Sequence, residues 1–258
     1  MKIWVASLIG LLCALISGCG SSEPLEQTIE QTYPVDPQAS IKIKNIDGTI
    51  ELHGSPKPEV HLQAIKKAYT TARLDRIGVK VIAGSGDVVV DTQIPSAKQW
   101  SLGDRSGTVD YVVVVPQTAK TVQVELRNGE ILVSGMFNGE VRATLENGRV
   151  FVKNCFGEVH AHSGTGAMTI AYEWWEQHKF SADAYIDDGN LFAVIPSDAA
   201  FRVHAEAPTG KIGNDFAEQE QRTGVELNKV DQVVGESPEA VINLRADDGN
   251  IKIVEANP

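Results

Sequence analysis

His160 and His162 lie two residues apart in an alternating run with Glu158 in line, so all three face one side of a strand. Two imidazoles and a carboxylate on one face could ligate a divalent metal. The chain has six histidines and shows no clear fourth ligand, which favours a solvent-facing strand surface with no metal and no cofactor. Asp187-Asp188-Gly189-Asn190 and Asp247-Asp248-Gly249-Asn250 are near-identical oxygen-rich tetrads. They lack the longer ligand ladder of calcium loops and read as strand corners. Paired carboxylates could also serve glycoside hydrolysis, which a parallel β-helix can host. Nothing selects a pair among the 34 acids, and a sugar cleft would be richer in aromatics. HExxH, GxxxxGK[ST], GxSxG and paired CxxC motifs are absent. Gly84-Ser85-Gly86-Asp87 sits between two strands, not at the start of a helix, and reads as a turn. No catalytic residue is assigned, and the chain is read as a non-enzyme.

Two further features could act on a partner. Tyr172-Glu173-Trp174-Trp175-Glu176-Gln177-His178 interrupts the strand rhythm and holds two of the four tryptophans. Insertions of this kind map to loops, often on a binding face, and tryptophan is enriched among interface anchors. Trp174 and Trp175 are therefore the candidate partner contact, weighed against a role as a cap on the core. Cys155, between two strand patterns, reads as a small, partly buried hydrophobe, weighed against a reactive thiol or an intermolecular bridge.

The strongest covalent signal is at the N-terminus. Lys2 precedes an apolar run from Ile3 to Ser17, too short to span a membrane comfortably and suited to a signal peptide. It ends in Ile16-Ser17-Gly18-Cys19, which resembles the bacterial lipobox. Small residues let the backbone enter a peptidase, and the Cys19 thiol takes the lipid, with acyl chains such as palmitate. Each buried methylene contributes about 0.8 kcal/mol, so two or three chains hold a protein stably. Residues 1–18 are thus expected to be a lipoprotein signal peptide and 19–38, with Pro24, Pro34 and Pro37, a flexible tether. Residues 39–258 form one soluble β-strand-repeat domain. With Cys13 removed and Cys19 acylated, Cys155 has no intramolecular disulfide partner. Gly20 and Ser21, directly after Cys19, offer no aspartate, which points to the outer membrane in a host with two.

What must position these residues is a set of short strands. From Ile41 the pattern has period two, as in Val122, Val124 and Leu126, or Phe201, Val203 and Ala205. Only Thr70 to Ile77 looks briefly helical. Asp47-Gly48, Asn128-Gly129, Asn147-Gly148, Asp188-Gly189 and Asp248-Gly249 each follow an alternating run, with Gly164-Thr165-Gly166 and Thr209-Gly210 as looser copies. From Gly129 the glycines recur at Gly148, Gly166, Gly189 and Gly210, in steps of 19, 18, 23 and 21 residues, and Gly249 lies 39 further on, about two steps. Phe137-Asn138-Gly139-Glu140-Val141 answers Cys155-Phe156-Gly157-Glu158-Val159. A repeat near 20 residues that cannot close its own core predicts stacked coils, an all-β solenoid. A β-sandwich of successive hairpins is the alternative.

These residues carry a resemblance. Ile41 to Leu52, Val122 to Val133 (VQVELRNGEILV), the Asn-Gly copies after it and Asp248-Gly249-Asn250-Ile251 are similar to the bacterial "putative adhesin" family. That family is a domain of unknown function built of β-strand repeats, often on exported or membrane-attached proteins. The resemblance covers roughly residues 38 to 256 and breaks at Glu173 to Lys179 and Glu218 to Glu236. It implies architecture and assigns no functional residue. A net charge of −11 argues against nucleic acid as a partner. The expectation is a non-catalytic, lipid-anchored envelope protein whose β-repeat surface serves binding, adhesion or scaffolding. Its partners would be the membrane, through Cys19, and an envelope protein or glycan. The alternatives are a carbohydrate-active enzyme on a β-helix scaffold and an envelope-stress component.

Overall fold

The computed structural model describes residues 23–94, 107–217 and 227–256. The expected signal peptide, Cys19 and the first residues of the expected tether lie outside them. The chain is a β-solenoid whose central coils each contribute one long strand bent at its middle. β2 (Ser40–Ser55), β7 (Thr121–Ser134), β8 (Glu140–Lys153), β9 (Glu158–Ala171) and β10 (Ser181–Pro196) lie side by side. All of these pair in parallel. The parallel register rules out the sandwich of hairpins.

The alternation read from sequence sets the core. In β7, Val122, Val124, Leu126, Ile131 and Val133 are buried, and their neighbours in β8 repeat the pattern. Each strand thus has two arms, both lining one continuous core. At the bend the corner glycines form a column. Gly129 pairs with Gly148 and Gly148 with Gly166, at φ of +131°, +134° and +133°. A Cβ on Gly148 would lie 1.9 Å from the carbonyl oxygen of Gly129, so this position excludes every side chain for two reasons, φ and space. Beside the column runs a polar ladder, in which Asn147 donates to Asn128 and Asn128 to Asp47.

Additional strands close both ends. β5 (Asp87–Gln93) pairs with the first arm of β2, and β6 (Thr108–Pro116) with the second. β4 (Gly78–Ala83) forms a hairpin with β5 through Gly84–Asp87, the turn expected there. β3 (Glu59–Ala68) follows β6, and β1 (Leu25–Pro34) follows β3, both antiparallel. The short helix α1 (Thr71–Leu74) falls in the segment expected to be helical.

β1 corrects the expected tether, because residues 25–34 are a paired strand. It is an edge strand whose residues are nearly all exposed, so it has no buried face to impose alternation and is held by backbone bonds along β3.

At the far end the coils do not stack in sequence order. β11 (Phe201–Glu206) and β12 (Ile212–Asn214) make one coil, and β13 (Lys229–Val234) pairs antiparallel on β11. β14 (Ala240–Asp248) and β15 (Ile251–Ala256) are the two arms of another coil. That last coil in sequence is inserted between β10 and β11–β12. Gly249 therefore stacks on Gly189, and Gly210 on Gly249. No helix among the described residues is long and apolar enough to cross a membrane.

Candidate functional site

The outward side of the first arms is a polar face built by register. Aligned strands place Lys42, Gln123, Arg142, His160, Asp183, Asn243, His204 and Asp231 in one row. A second row, two residues on, holds Lys44, Glu125, Thr144, His162, Tyr185, Arg245, Glu206 and Lys229. The inward residues between them are the core, which fixes the outward ones at regular spacing. Toward the C-terminal end this face holds a groove of about 770 Å³, lined among others by Arg142, His160, Tyr185, His204, Lys229 and Arg245.

The rows are cross-linked by charge. Glu125 receives Lys44 at 2.8 Å and Lys42 at 3.1 Å. Burial pushes its carboxyl up, but the bonds from Lys44 and Lys42 outweigh this and leave it below its ordinary value. Glu206 is bound by Lys229 at 2.7 Å and Arg245 at 3.1 Å, and the Lys229 bond lowers its pKa. Tyr185 donates to Asp247, which lowers that carboxyl and raises the phenol to about 12. Arg245 reaches the other oxygen of Asp247 at 2.8 Å. His162 stacks on Tyr185 with centroids 5.0 Å apart and pairs with Asp187 at 3.1 Å, while His204 pairs with Asp231 at 3.3 Å. These carboxyls with lowered pKa are poised as anions, opposite to what a general acid at neutral pH requires.

The structure confirms that Glu158, His160 and His162 share one face, and splits them into two groups. His162 belongs with Tyr185 and Asp187. His160 sits among Glu158, Glu140 and Asp183. The two acidic tetrads occupy adjacent coils, with Asn250 donating to Asn190 and Asp248 in register with Asp188.

Trp174 and Trp175 lie away from the groove. Trp175 is half-buried against Tyr172, Phe180 and Phe201, with centroids 5.1–5.7 Å away. Trp174 is 41% exposed and rests on Phe156 at 5.7 Å. Cys155 is buried, and burial pushes its thiol up to about 12, which makes it unreactive.

Sequence reasoning missed Asp183, Tyr185, Asn243, Arg245, His204, Glu206 and Lys229 as members of one surface. The signal was present: all but Lys229 stand six or four positions before a corner glycine, as His160 and His162 do before Gly166.

A family model described as "Toastrack DUF4097" matches residues 18–254. No curated protein matches the chain. Among solved structures, a "putative cell adhesion protein" from Clostridium sporogenes is similar over 89% of this chain and 100% of its own, at 12% identity and a TM-score of 0.45. A "putative adhesin" from Bacteroides fragilis covers 88% and 97%, at 10% identity and a TM-score of 0.33. A "putative lipid binding protein" from Parabacteroides distasonis covers 90% and 98%, at 12% identity and a TM-score of 0.26. At such scores these likenesses carry no argument about function.

Proposed function

Since this chain belongs to the Toastrack DUF4097 family, we propose that it is a non-catalytic, membrane-anchored envelope lipoprotein that binds or scaffolds through one sheet face. The observation that supports this reading is the pair of polar rows running across eight neighbouring strands. A rigid solenoid offers such a face without a deep pocket, and repeated coils lengthen it. Its hydrogen-bonding imidazoles, amides, guanidinium and phenol suit a polar partner, either an envelope protein or a glycan. In this reading residues 1–18 are removed, acylated Cys19 anchors the chain, and the address is the outer membrane where two membranes exist. Trp174 offers a separate exposed contact away from the groove, while Trp175 serves the core.

The experiment uses Tyr185→Ala combined with His204→Ala in the full chain, expressed in its own envelope. Both side chains face outward, so the melting temperature should stay nearly constant while co-purification of the partner is lost. Unchanged co-purification would refute the face as the binding surface. The anchor is tested separately: Cys19→Ser should leave an unprocessed precursor without lipid mass. Normal processing of that variant would refute the anchor.

A further inference from the structure

His160 is flanked by carboxylates on both ring nitrogens. Nδ1 lies 3.2 Å from Asp183 Oδ2, and Nε2 lies 2.9 Å from Glu158 Oε1 and 3.8 Å from Glu140 Oε1. A neutral imidazole has one N–H, so one nitrogen would aim a lone pair at an anion. A cation at the facing nitrogen would engage both that lone pair and the carboxylates around it. Asp183 is fixed from its other oxygen by Asn243 Nδ2 at 2.6 Å, so its Oδ2 is held where it can accept an N–H from Nδ1 while Nε2 faces the two glutamates.

We propose that Glu140, Glu158 and His160 bind a divalent transition-metal ion, with Asp183 orienting the imidazole from behind. The three ligand atoms lie within 4.8 Å of one another. Tetrahedral bonds of about 2.1 Å put ligand atoms about 3.4 Å apart, between the two Nε2–carboxylate distances found here. One imidazole and two carboxylates suit zinc or manganese, and the exposed side leaves further positions to water or to a partner's ligand. The ligands come from two coils. Glu140 opens β8 and Glu158 opens β9, in register, and His160 follows two residues later on the same face. Three carboxylates meet one guanidinium in this patch, that of Arg142, which pairs with Glu140. Arg142 therefore competes with the metal. The site needs no partner, so it stands or falls apart from the binding role proposed above.

The test is calorimetric titration of the chelator-stripped full chain in detergent with zinc chloride, and separately with manganese chloride, at pH 7.5. One site is expected. His160→Gln and Glu158→Gln should each weaken it by on the order of 100-fold, and Asp183→Asn by about tenfold. Arg142→Ala should tighten it. All four side chains are on the outer face, and circular dichroism verifies that each variant is folded. Absence of binding to the wild-type chain would overturn the proposal. Binding unaffected by His160→Gln and Glu158→Gln would place the ion elsewhere and overturn it equally.

Discussion

Gly249 stacks directly on Gly189, although 60 residues separate them and Gly210 lies between them in sequence. A Cβ on Gly249 would lie 1.7 Å from the Gly189 carbonyl oxygen, and one on Gly210 would lie 1.7 Å from that of Gly249. The final segment of the chain is thus an internal coil held on both sides.

Truncation follows from this insertion. Deleting residues 251–258 removes β15, which separates the second arm of β10 from β12. The truncated chain is expected to lose cooperative unfolding, read by circular dichroism during a guanidinium titration. A terminal coil at the outside of the stack would instead tolerate trimming with little change.

The corner column predicts a sharp response at Gly148. Gly148→Val adds a side chain at φ +134° and against the Gly129 carbonyl, so it should destabilise by on the order of 3 kcal/mol or more. A melting temperature equal to that of the parent would show that the coils can separate freely at this corner.

The buried thiol gives a pH dependence. Cys155 keeps its proton in the folded chain up to about pH 12, whereas an unfolded thiol ionises near its ordinary value of 9.0. Between these values the folded state binds more protons, so stability is fully present below about pH 9 and falls as pH rises. The thiol contributes a slope of at most about 1.4 kcal/mol per pH unit. Tyr111 and Tyr172, whose hydroxyls burial also raises, add to the loss. Guanidinium midpoints at pH 8 and pH 10.5 measure the fall, and Cys155→Ala should make it shallower. An identical slope in that variant would mean that the thiol ionises equally in both states.

The two tryptophans should separate by single substitution. Trp175→Ala empties space among Tyr172, Phe180 and Phe201 and is expected to cost about 2–4 kcal/mol. Trp174→Ala, on an exposed ring, should cost less than about 1 kcal/mol. Chemical denaturation of both variants checks this order, and a reversed order would exchange their roles.

The strands, the bends and the solenoid were legible because alternation and a close-packed glycine column both leave period in the sequence. Coil order was not, because Gly189, Gly210 and Gly249 are equally good corners and spacing cannot say which stacks on which. β1 was hidden for another reason: an exposed edge strand needs only backbone pairing, so Leu25 to Pro34 shows no alternation. The site was half visible. His160 and His162 stood out as a pair, but Asp183, Tyr185, Asn243 and Arg245 join them only when each run is counted back from its corner glycine. Aligning on Gly166, Gly189 and Gly249 brings all six into two rows.

The binding role of this face is tested most directly by site-specific photo-crosslinking in the native envelope. A crosslinker at His204, outward in the groove, should give discrete adducts with an envelope protein or glycan, and one at Lys252, outward on the second arm, should give none. Adducts from Lys252 alone, or none from His204, would contradict the account.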